Sequence, residues 1–295
     1  MAIIELLEVS KLYGFGDATT LALDEITLSV EAGEFVAIMG PSGSGKTTLL
    51  NIIGLLDRPT HGQYLLEGRQ VARLRPNQQA KHRRDRIGFV FQSYNLLPKL
   101  TVLENVALPL AYKGLTPVRR LKRASDILER VGLRDREYFT PRHLSGGQLQ
   151  RVAIARALIN NPGIIIADEP TGNLDSENSR IVMELLGEIH RQGNTVLMVT
   201  HNPELTRYAT RLLYMYDGMI IGDEATRLGE VAASAAKKSR RRKLRDDDLL
   251  AGVSTMMREV PAKELKTNPQ KRTVKKVKAT KRRTRRAAGR GVKRR

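Results

Sequence analysis

The chain has no cysteine and no tryptophan, and its 295 residues include only five Phe and eight Tyr. Without cysteine there is no disulfide framework, no thiolate metal site and no cysteine nucleophile. Such a chain suits a reducing compartment. Long apolar runs are also missing. No uncharged stretch exceeds about a dozen residues, 87–98 and 192–203 being the longest, whereas a membrane-spanning helix needs about 20. The opening MAIIELLEVSK has neither a basic start nor an extended apolar stretch, so it does not read as a signal peptide. Together these absences predict a cytoplasmic chain that does not cross a bilayer.

Acidic residues are scarce in one region only. Residues 231–295 hold 24 Lys and Arg against 5 Asp and Glu, a net of +19, while residues 1–230 hold 27 against 26. The formal charge of +20 therefore belongs to a tail and not to a fold. All thirteen Phe and Tyr lie at or before Tyr216, which points to the same division. The expectation is a folded domain over residues 1–224 and a basic, mostly disordered tail over 225–295, because the tail has too little apolar surface to offset its ordering entropy.

Within the first 224 residues, short apolar runs alternate with longer amphipathic ones. Residues 35–39, 164–167 and 196–199 read as buried strands, and 49–56, 118–131, 148–158 and 178–191 as helices. In the last helix Ile181, Leu185 and Ile189 fall at helical spacing. Asp217-Gly218, between the apolar runs 212–216 and 219–221, is a two-residue hairpin signal. The fold class expected is α/β, with a mainly parallel core sheet covered by helices.

Gly40-Pro41-Ser42-Gly43-Ser44-Gly45-Lys46-Thr47 satisfies G-x-x-x-x-G-K-[ST], between a strand and a helix that runs on from Thr48. Such a loop lets backbone N–H groups wrap phosphate oxygens, with the positive end of the helix dipole behind them. Lys46 is placed to reach β- and γ-phosphates, and the Thr47 hydroxyl to bind Mg²⁺. Asp168-Glu169 ends the apolar run 164–167, at the strand end where ligands of parallel sheets sit. Asp168 suits a water-bridged hold on Mg²⁺, and Glu169 the activation of an attacking water. The chemistry so far is that of an ATP or related nucleotide hydrolase. Ser145-Gly146-Gly147 opens a further helix at Gln148 and forms a second anion-binding terminus.

Leu144-Ser145-Gly146-Gly147-Gln148 resembles the signature of ATP-binding-cassette (ABC) ATPases. Tyr13, Gln92, Asn173-Leu174-Asp175 and His201 follow the family's order around it. The resemblance spans roughly residues 3–224. It implies a P-loop ABC ATPase domain with an antiparallel β subdomain and a helical subdomain at about 93–160. The implied catalytic residues are Glu169, His201 and Lys46. ATP contacts would come from Tyr13, which would stack on adenine unless Phe15 does so, from Gly40, Ser42, Gly43, Ser44, Gly45, Lys46, Thr47 and Thr48, and from Gln92. Ser145, Gly146, Gly147 and Gln148 would grip the γ-phosphate held by an opposite subunit, with Asp175 crossing the dimer interface. Mg²⁺ would fall to Thr47, Gln92 and Asp168. His201 would hold the γ-phosphate and the water in register.

The stretches 54–62, 92–98, 101–106 and 168–176 are similar to the lipoprotein-release and macrolide-export ATPases (the LolD and MacB group) and to cell-division ATPases of the FtsE type. That likeness implies a homodimer on the cytoplasmic face of the membrane, working a separate FtsX- or MacB-like permease for export or lipoprotein extraction; an FtsE-like mechanical regulator of a division or cell-wall complex and a soluble ATPase acting on nucleic acid or ribosomes through the tail are the alternatives. Leu149 and Asn202 depart from the family's usual Gln and Asp, and neither departure removes a catalytic group. The tail is outside the resemblance. Its last fifteen residues carry nine Lys or Arg, and sixty-five residues of flexible chain span roughly 45 Å. An anionic membrane surface, nucleic acid and no dedicated partner are all open readings. Residues 246–260, three Asp followed by apolar residues at helical spacing, form a candidate docking helix.

Overall fold

The computed structural model describes residues 2–14, 19–226 and 228–229. All of these lie in the first of the chain's two units, Met1–Ser239. The segment 246–260, read as either a docking helix or a disordered linker, and the rest of the basic tail from residue 230 fall outside the described residues.

In chain order the elements are β1 (Ala2–Tyr13), β2 (Thr20–Glu31), β3 (Phe35–Met39), α1 (Lys46–Ile53), β4 (His61–Leu66), β5 (Arg69–Gln70), α2 (Pro76–Arg86), β6 (Ile87–Phe91), α3 (Val102–Ala111), α4 (Pro117–Arg130), α5 (Gly146–Leu158), β7 (Ile164–Asp168), α6 (Ser176–Arg191), β8 (Thr195–Val199), β9 (Arg211–Tyr216) and β10 (Met219–Ala225). Six strands form the central sheet in the order β10-β9-β3-β8-β7-β6. Every pairing in it is parallel except that of β9 with β10. The second sheet, β2-β1-β4-β5, is antiparallel throughout.

The three expected core strands are all present and apolar on both faces because both faces are covered. Val36, Ile38, Ile164, Ile166, Leu197 and Val199 point into a core shared with α1 and the antiparallel sheet. Their neighbours Phe35, Ala37, Ile165, Ala167, Val196 and Met198 face α5 and α6 on the other side. Helix α1 thus lies between two sheets, with Leu49, Leu50, Ile52 and Ile53 buried. The helices α3, α4 and α5 gather a core of their own through Val106, Leu110, Leu128, Val152 and Ile159.

Several helix starts differ from expectation, and each has a local cause. Helix α1 begins at Lys46 because left-handed Gly45 (φ 95°) is its N-cap, and it ends at Ile53 instead of 56. Helix α5 begins at Gly146, two residues before Gln148, because Ser145 is the cap. Helix α6 begins at Ser176, where the Asp175 side chain accepts from the Asn178 N–H. Its buried stripe is Val182, Leu186 and Ile189 together with Met183, since α6 packs on both the sheet and α5; Ile181 and Leu185 are only half-buried. The Asp217-Gly218 turn forms as read, with both residues at positive φ (44° and 79°).

The folded part runs slightly past residue 224. Strand β10 reaches Ala225, and the Thr226 N–H donates to the Thr210 carbonyl at 3.0 Å. Among the described residues, no helix is long and apolar enough to cross a membrane.

Candidate functional site

The register of the central sheet assembles the site. Ile38 of β3 stands beside Val199 of β8, and Val199 beside Asp168 of β7, which is beside Phe91 of β6. The residues that follow these strands are the 40–47 loop, Thr200-His201, Glu169 and Gln92. They emerge side by side along one edge, at the carboxyl ends of the strands.

Residues 40–47 wrap the start of α1. A Cβ on Gly45 would sit 2.5 Å from the Ala22 carbonyl oxygen, so the loop reaches the antiparallel sheet only because glycine is there. Lys46 Nζ donates to the carbonyls of Gly40 (2.9 Å) and Pro41 (2.6 Å), with Ser44 Oγ at 3.4 Å. The ammonium therefore curls over its own loop, on the side where a phosphate would lie. Ser42, Gly43 and Thr47 are exposed, and Ser44 is buried beneath them.

Asp168 is half-buried. Burial, and then the charge of Glu169, push its carboxyl above the usual range, while Lys46 pulls the other way. Glu169 has φ 46°, a left-handed conformation that costs a non-glycine residue about 1–3 kcal/mol. It is held there by its N–H, which donates to the Val199 carbonyl at 3.0 Å. His201 Nδ1–H donates to Glu169 Oε1 at 2.8 Å, and the imidazole side chain is 73% exposed. A cavity of about 290 Å³ opens beside this pair, lined by Thr171, Ser179, Arg180 and Thr200 as well as by the two residues themselves.

Gln92 is exposed just beyond β6. Its carbonyl accepts from Asn173 Nδ2 at 3.0 Å, and its side chain lies close against Gly172, so the loops after β6 and β7 interlock. Ser145 and Gln148 form a reciprocal cap at the start of α5. Ser145 N–H donates to Gln148 Oε1 (3.0 Å), and Gln148 N–H donates to Ser145 Oγ (3.4 Å). Gly147 lies directly under the Asn178 amide, where a Cβ would collide with it. Asn178 Nδ2 donates to Asp175 Oδ2 at 2.8 Å. These hydrogen bonds hold the Asp175 carboxyl below its usual range. The starts of α5 and α6 are thus packed together through Gly147, Asn178 and Asp175. Among the described residues, no hydrogen bond or ion pair joins residues 145–148 to residues 40–48.

Tyr13 ends β1 and is 42% exposed. Its hydroxyl donates to Asp57 Oδ2 at 2.8 Å, and Lys11 Nζ lies 4.8 Å from its ring centroid while donating to Asp57 Oδ1 at 2.7 Å. Burial raises the Tyr13 hydroxyl, and Asp57 raises it further. For Asp57, burial works upward, but the hydrogen bonds from Lys11, the Arg58 backbone and Tyr13 outweigh it, so the carboxyl is lowered. Phe15 is outside the described residues.

Sequence reasoning missed two features. One is this Lys11–Asp57–Tyr13 cluster, in which Asp57 lies more than forty residues from the other two. The other is a groove of about 760 Å³ between α2, β6, the end of α3 and α5, with Arg156 in its wall. A lone arginine in the apolar stretch of α5 was the available signal for the second.

Residues 23–172 match the family described as ABC transporter. An ABC transporter ATP-binding protein of Thermotoga maritima is 51% identical over 222 residues, covering 75% of this chain and 95% of that protein. This chain belongs to the ABC transporter family. As an ABC cassette it is an ATP-binding, ATP-hydrolysing protein. The YvrO ABC transporter ATP-binding protein of Bacillus subtilis is 50% identical over 216 residues, 73% of this chain and 94% of that one. The Escherichia coli macrolide export ATP-binding/permease protein MacB is 50% identical over 221 residues, but this ABC chain spans only 34% of its length. Among solved structures, the cassette MJ0796, a dimer in a post-hydrolysis state bound to ADP and phosphate, superposes with a TM-score of 0.71 at 46% identity. That match covers 76% of this chain and 99% of the other. The ABC fold read from the motifs, with its parallel core, antiparallel sheet and helical part, is the fold these relatives share.

Proposed function

We propose that two copies of this cassette close around two ATP molecules and drive a separate membrane permease of the export or lipoprotein-extraction type, from the cytoplasmic face of the membrane. The observation that carries the reading is the hydrogen bond from His201 to Glu169, beside a phosphate loop whose lysine has no ion-pair partner among the described residues. The loop N–H groups and Lys46 hold the β- and γ-phosphates. Glu169 takes a proton from water as its oxygen attacks the γ-phosphorus, and the bridging oxygen leaves with ADP. His201 fixes the carboxylate through Nδ1 and keeps Nε2 for the γ-phosphate. Tyr13 stacks on the adenine.

Each chain carries two anion-binding helix starts that do not meet, at 40–47 and at 145–148. A second copy supplies Ser145 and Gly147 to the phosphate held by the first, with Asp175 at the interface. The cassette MJ0796, at 46% identity, is a dimer bound to ADP and phosphate in its post-hydrolysis structure, which supports the reading.

Mg²⁺ fits the donors present. The Thr47 hydroxyl and the Asp168 carboxylate are oxygen ligands of the kind a hard cation takes, and the ionised form of Asp168 stands against burial and the charge of Glu169. Thr47, Asp168 and Gln92 would hold the ion, which when bound neutralises charge on the β- and γ-phosphates.

The groove beside Gln92 is the docking site for a cytoplasmic helix of the permease. The basic tail suits an anionic surface, lipid or nucleic acid. The test is recovery of the Glu169→Gln protein with ATP from gently solubilised native cells. A co-purifying permease with a large extracytoplasmic domain supports the reading. Ribosomes or nuclease-sensitive material without a membrane protein would replace it with a soluble role acting through the tail.

A further inference from the structure

The groove has an uneven charge. Its lining is mostly apolar, and the charged residues in it are Lys81, Arg83, Arg84 and Arg156, with no carboxylate among them. Two of these cations are already committed within α2's surroundings. Arg83 donates to the Leu55 carbonyl at 2.6 Å, while Arg84 pairs with Asp85 at 2.9 Å and donates to the Tyr112 carbonyl at 2.7 Å.

Arg156 differs from Arg83, which holds a single carbonyl, in spanning two consecutive ones. Its Nη2 donates to the Tyr94 carbonyl at 2.7 Å, and its Nη1 makes a short hydrogen bond to the Asn95 carbonyl. No carboxylate of the described residues pairs with it, although burial works against its charge. The two residues it holds are strained, since Tyr94 and Asn95 sit consecutively at φ 59° and 50°. They lie two and three positions after Gln92, whose own carbonyl is tied to Asn173. The groove and the nucleotide-side loop therefore meet at one guanidinium.

We propose that Arg156 is a positioning residue that latches the loop 92–95, and that a carboxylate on the permease segment seated in the groove releases the latch. This rests on the reading of the groove as the permease's docking site. The guanidinium now has only neutral oxygens, and a bidentate bond to a carboxylate is roughly twice as strong as one to a neutral acceptor. An acid arriving in the groove draws Arg156 off the two carbonyls. Freed of that hold, Tyr94 and Asn95 relax from the left-handed region and carry Gln92 with them. The permease element is thereby specified as an amphipathic helix with at least one Asp or Glu facing Arg156.

The absence of cysteine gives a clean background for the test. Ala80→Cys, on the α2 wall, and Tyr112→Cys, at the end of α3, each place one thiol on the groove in the full-length protein. Each is modified with an ethylsulfonate thiosulfonate or with its ethyltrimethylammonium counterpart, and amide hydrogen exchange is followed over residues 92–98 and over α6. The tethered sulfonate speeds exchange in 92–98 by on the order of tenfold, the scale of one charge-assisted hydrogen bond. The ammonium leaves it unchanged, and α6 stays protected in both. Arg156→Lys shows the acceleration without any adduct and no longer responds to the sulfonate. Equal exchange with both adducts at both positions overturns the latch, as does unchanged exchange in a folded Arg156→Lys. If that variant does not fold, the adduct comparison alone decides. Cross-linking from Tyr112→Cys to the co-purified permease tests the docking reading separately. A sulfonate response without such a cross-link removes the permease as the bearer of the acid while keeping the latch.

Discussion

His201 donates a 2.8 Å hydrogen bond from Nδ1 to Oε1 of Glu169, joining the ends of two adjacent parallel strands through their side chains. Glu169 gains its aim at the phosphate side from this bond and from a backbone pinned in a left-handed turn. In the function we propose, the pair would work as a unit, with the carboxylate as the base and the imidazole as the part that keeps it still.

Glu169→Gln keeps the shape and removes the base. ATP binding should persist, while turnover falls by about 10²–10⁴-fold, the usual span for a lost general base, and the protein should accumulate as an ATP-bound dimer on size-exclusion chromatography. His201→Ala leaves the base but not its orientation, so kcat should drop with KM for ATP changed much less. Steady-state phosphate release measures both, and normal turnover in Glu169→Gln would falsify its role.

Gly147 has no room for a side chain because the Asn178 amide lies against it. Gly147→Ala should destabilise the domain by about 1–3 kcal/mol, the ordinary cost of overpacking. It should also weaken any function of the α5 start. Asn178→Ala in the same chain should restore part of the stability, because it removes the colliding group. Urea denaturation of the single and double variants gives the coupling.

Acid should loosen the hold of Lys11 on Asp57. The folded carboxyl lies below its ordinary value of 3.8. The stability it contributes is thus fully present above about pH 4 and is lost as the pH falls through the folded value. Lys11→Met removes the strongest lowering partner and leaves the Arg58 N–H and the Tyr13 hydroxyl to oppose burial, which acts upward. The gap in melting temperature between parent and Lys11→Met should be widest near neutrality and should shrink below about pH 4. Scanning calorimetry from pH 7 to pH 3 reads it, and a gap independent of pH would contradict the pairing.

The folding pattern was legible wherever the sequence was locally one-sided. Runs such as Ile164-Ile165-Ile166-Ala167 announce a strand covered on both faces, and Asp217-Gly218 announces its turn. Helix starts were misplaced by two or three residues because the caps Gly45, Ser145 and Asp175 are polar or small residues that a hydrophobic pattern ignores. The antiparallel sheet was read only through the family likeness, since β1 and β2 are long, irregular in register and flanked by no strong breaker. The 40–47 loop and Asp168-Glu169 stand out by spacing and position, whereas Tyr13, Gln92, Asp175 and His201 are singled out only through the family likeness. Arg156 was legible in neither way, because its significance lies in carbonyls sixty residues away that no one-dimensional pattern connects to it.

Deleting residues 231–295 should leave basal ATPase activity and melting temperature close to those of the full chain, since every described hydrogen bond of the site, including that from the Gly218 N–H to the Ser44 carbonyl, lies before residue 219. What the deletion should change is salt-sensitive retention on anionic vesicles or on nucleic acid. Co-sedimentation at low and high salt separates the two surfaces, and a collapse of activity in a folded truncation would contradict this division of labour.

Strand β10 runs antiparallel to β9, its one neighbour in the sheet among the described residues. It starts at Met219 beside Tyr216, on the phosphate side of the sheet, and finishes at Ala225 beside Arg211, on the far side. Seven residues of strand cover about 20 Å. The last strand therefore delivers the chain to the side of the sheet away from residues 40–47, so that Ala225 and Thr226 stand behind the edge from which the site residues emerge.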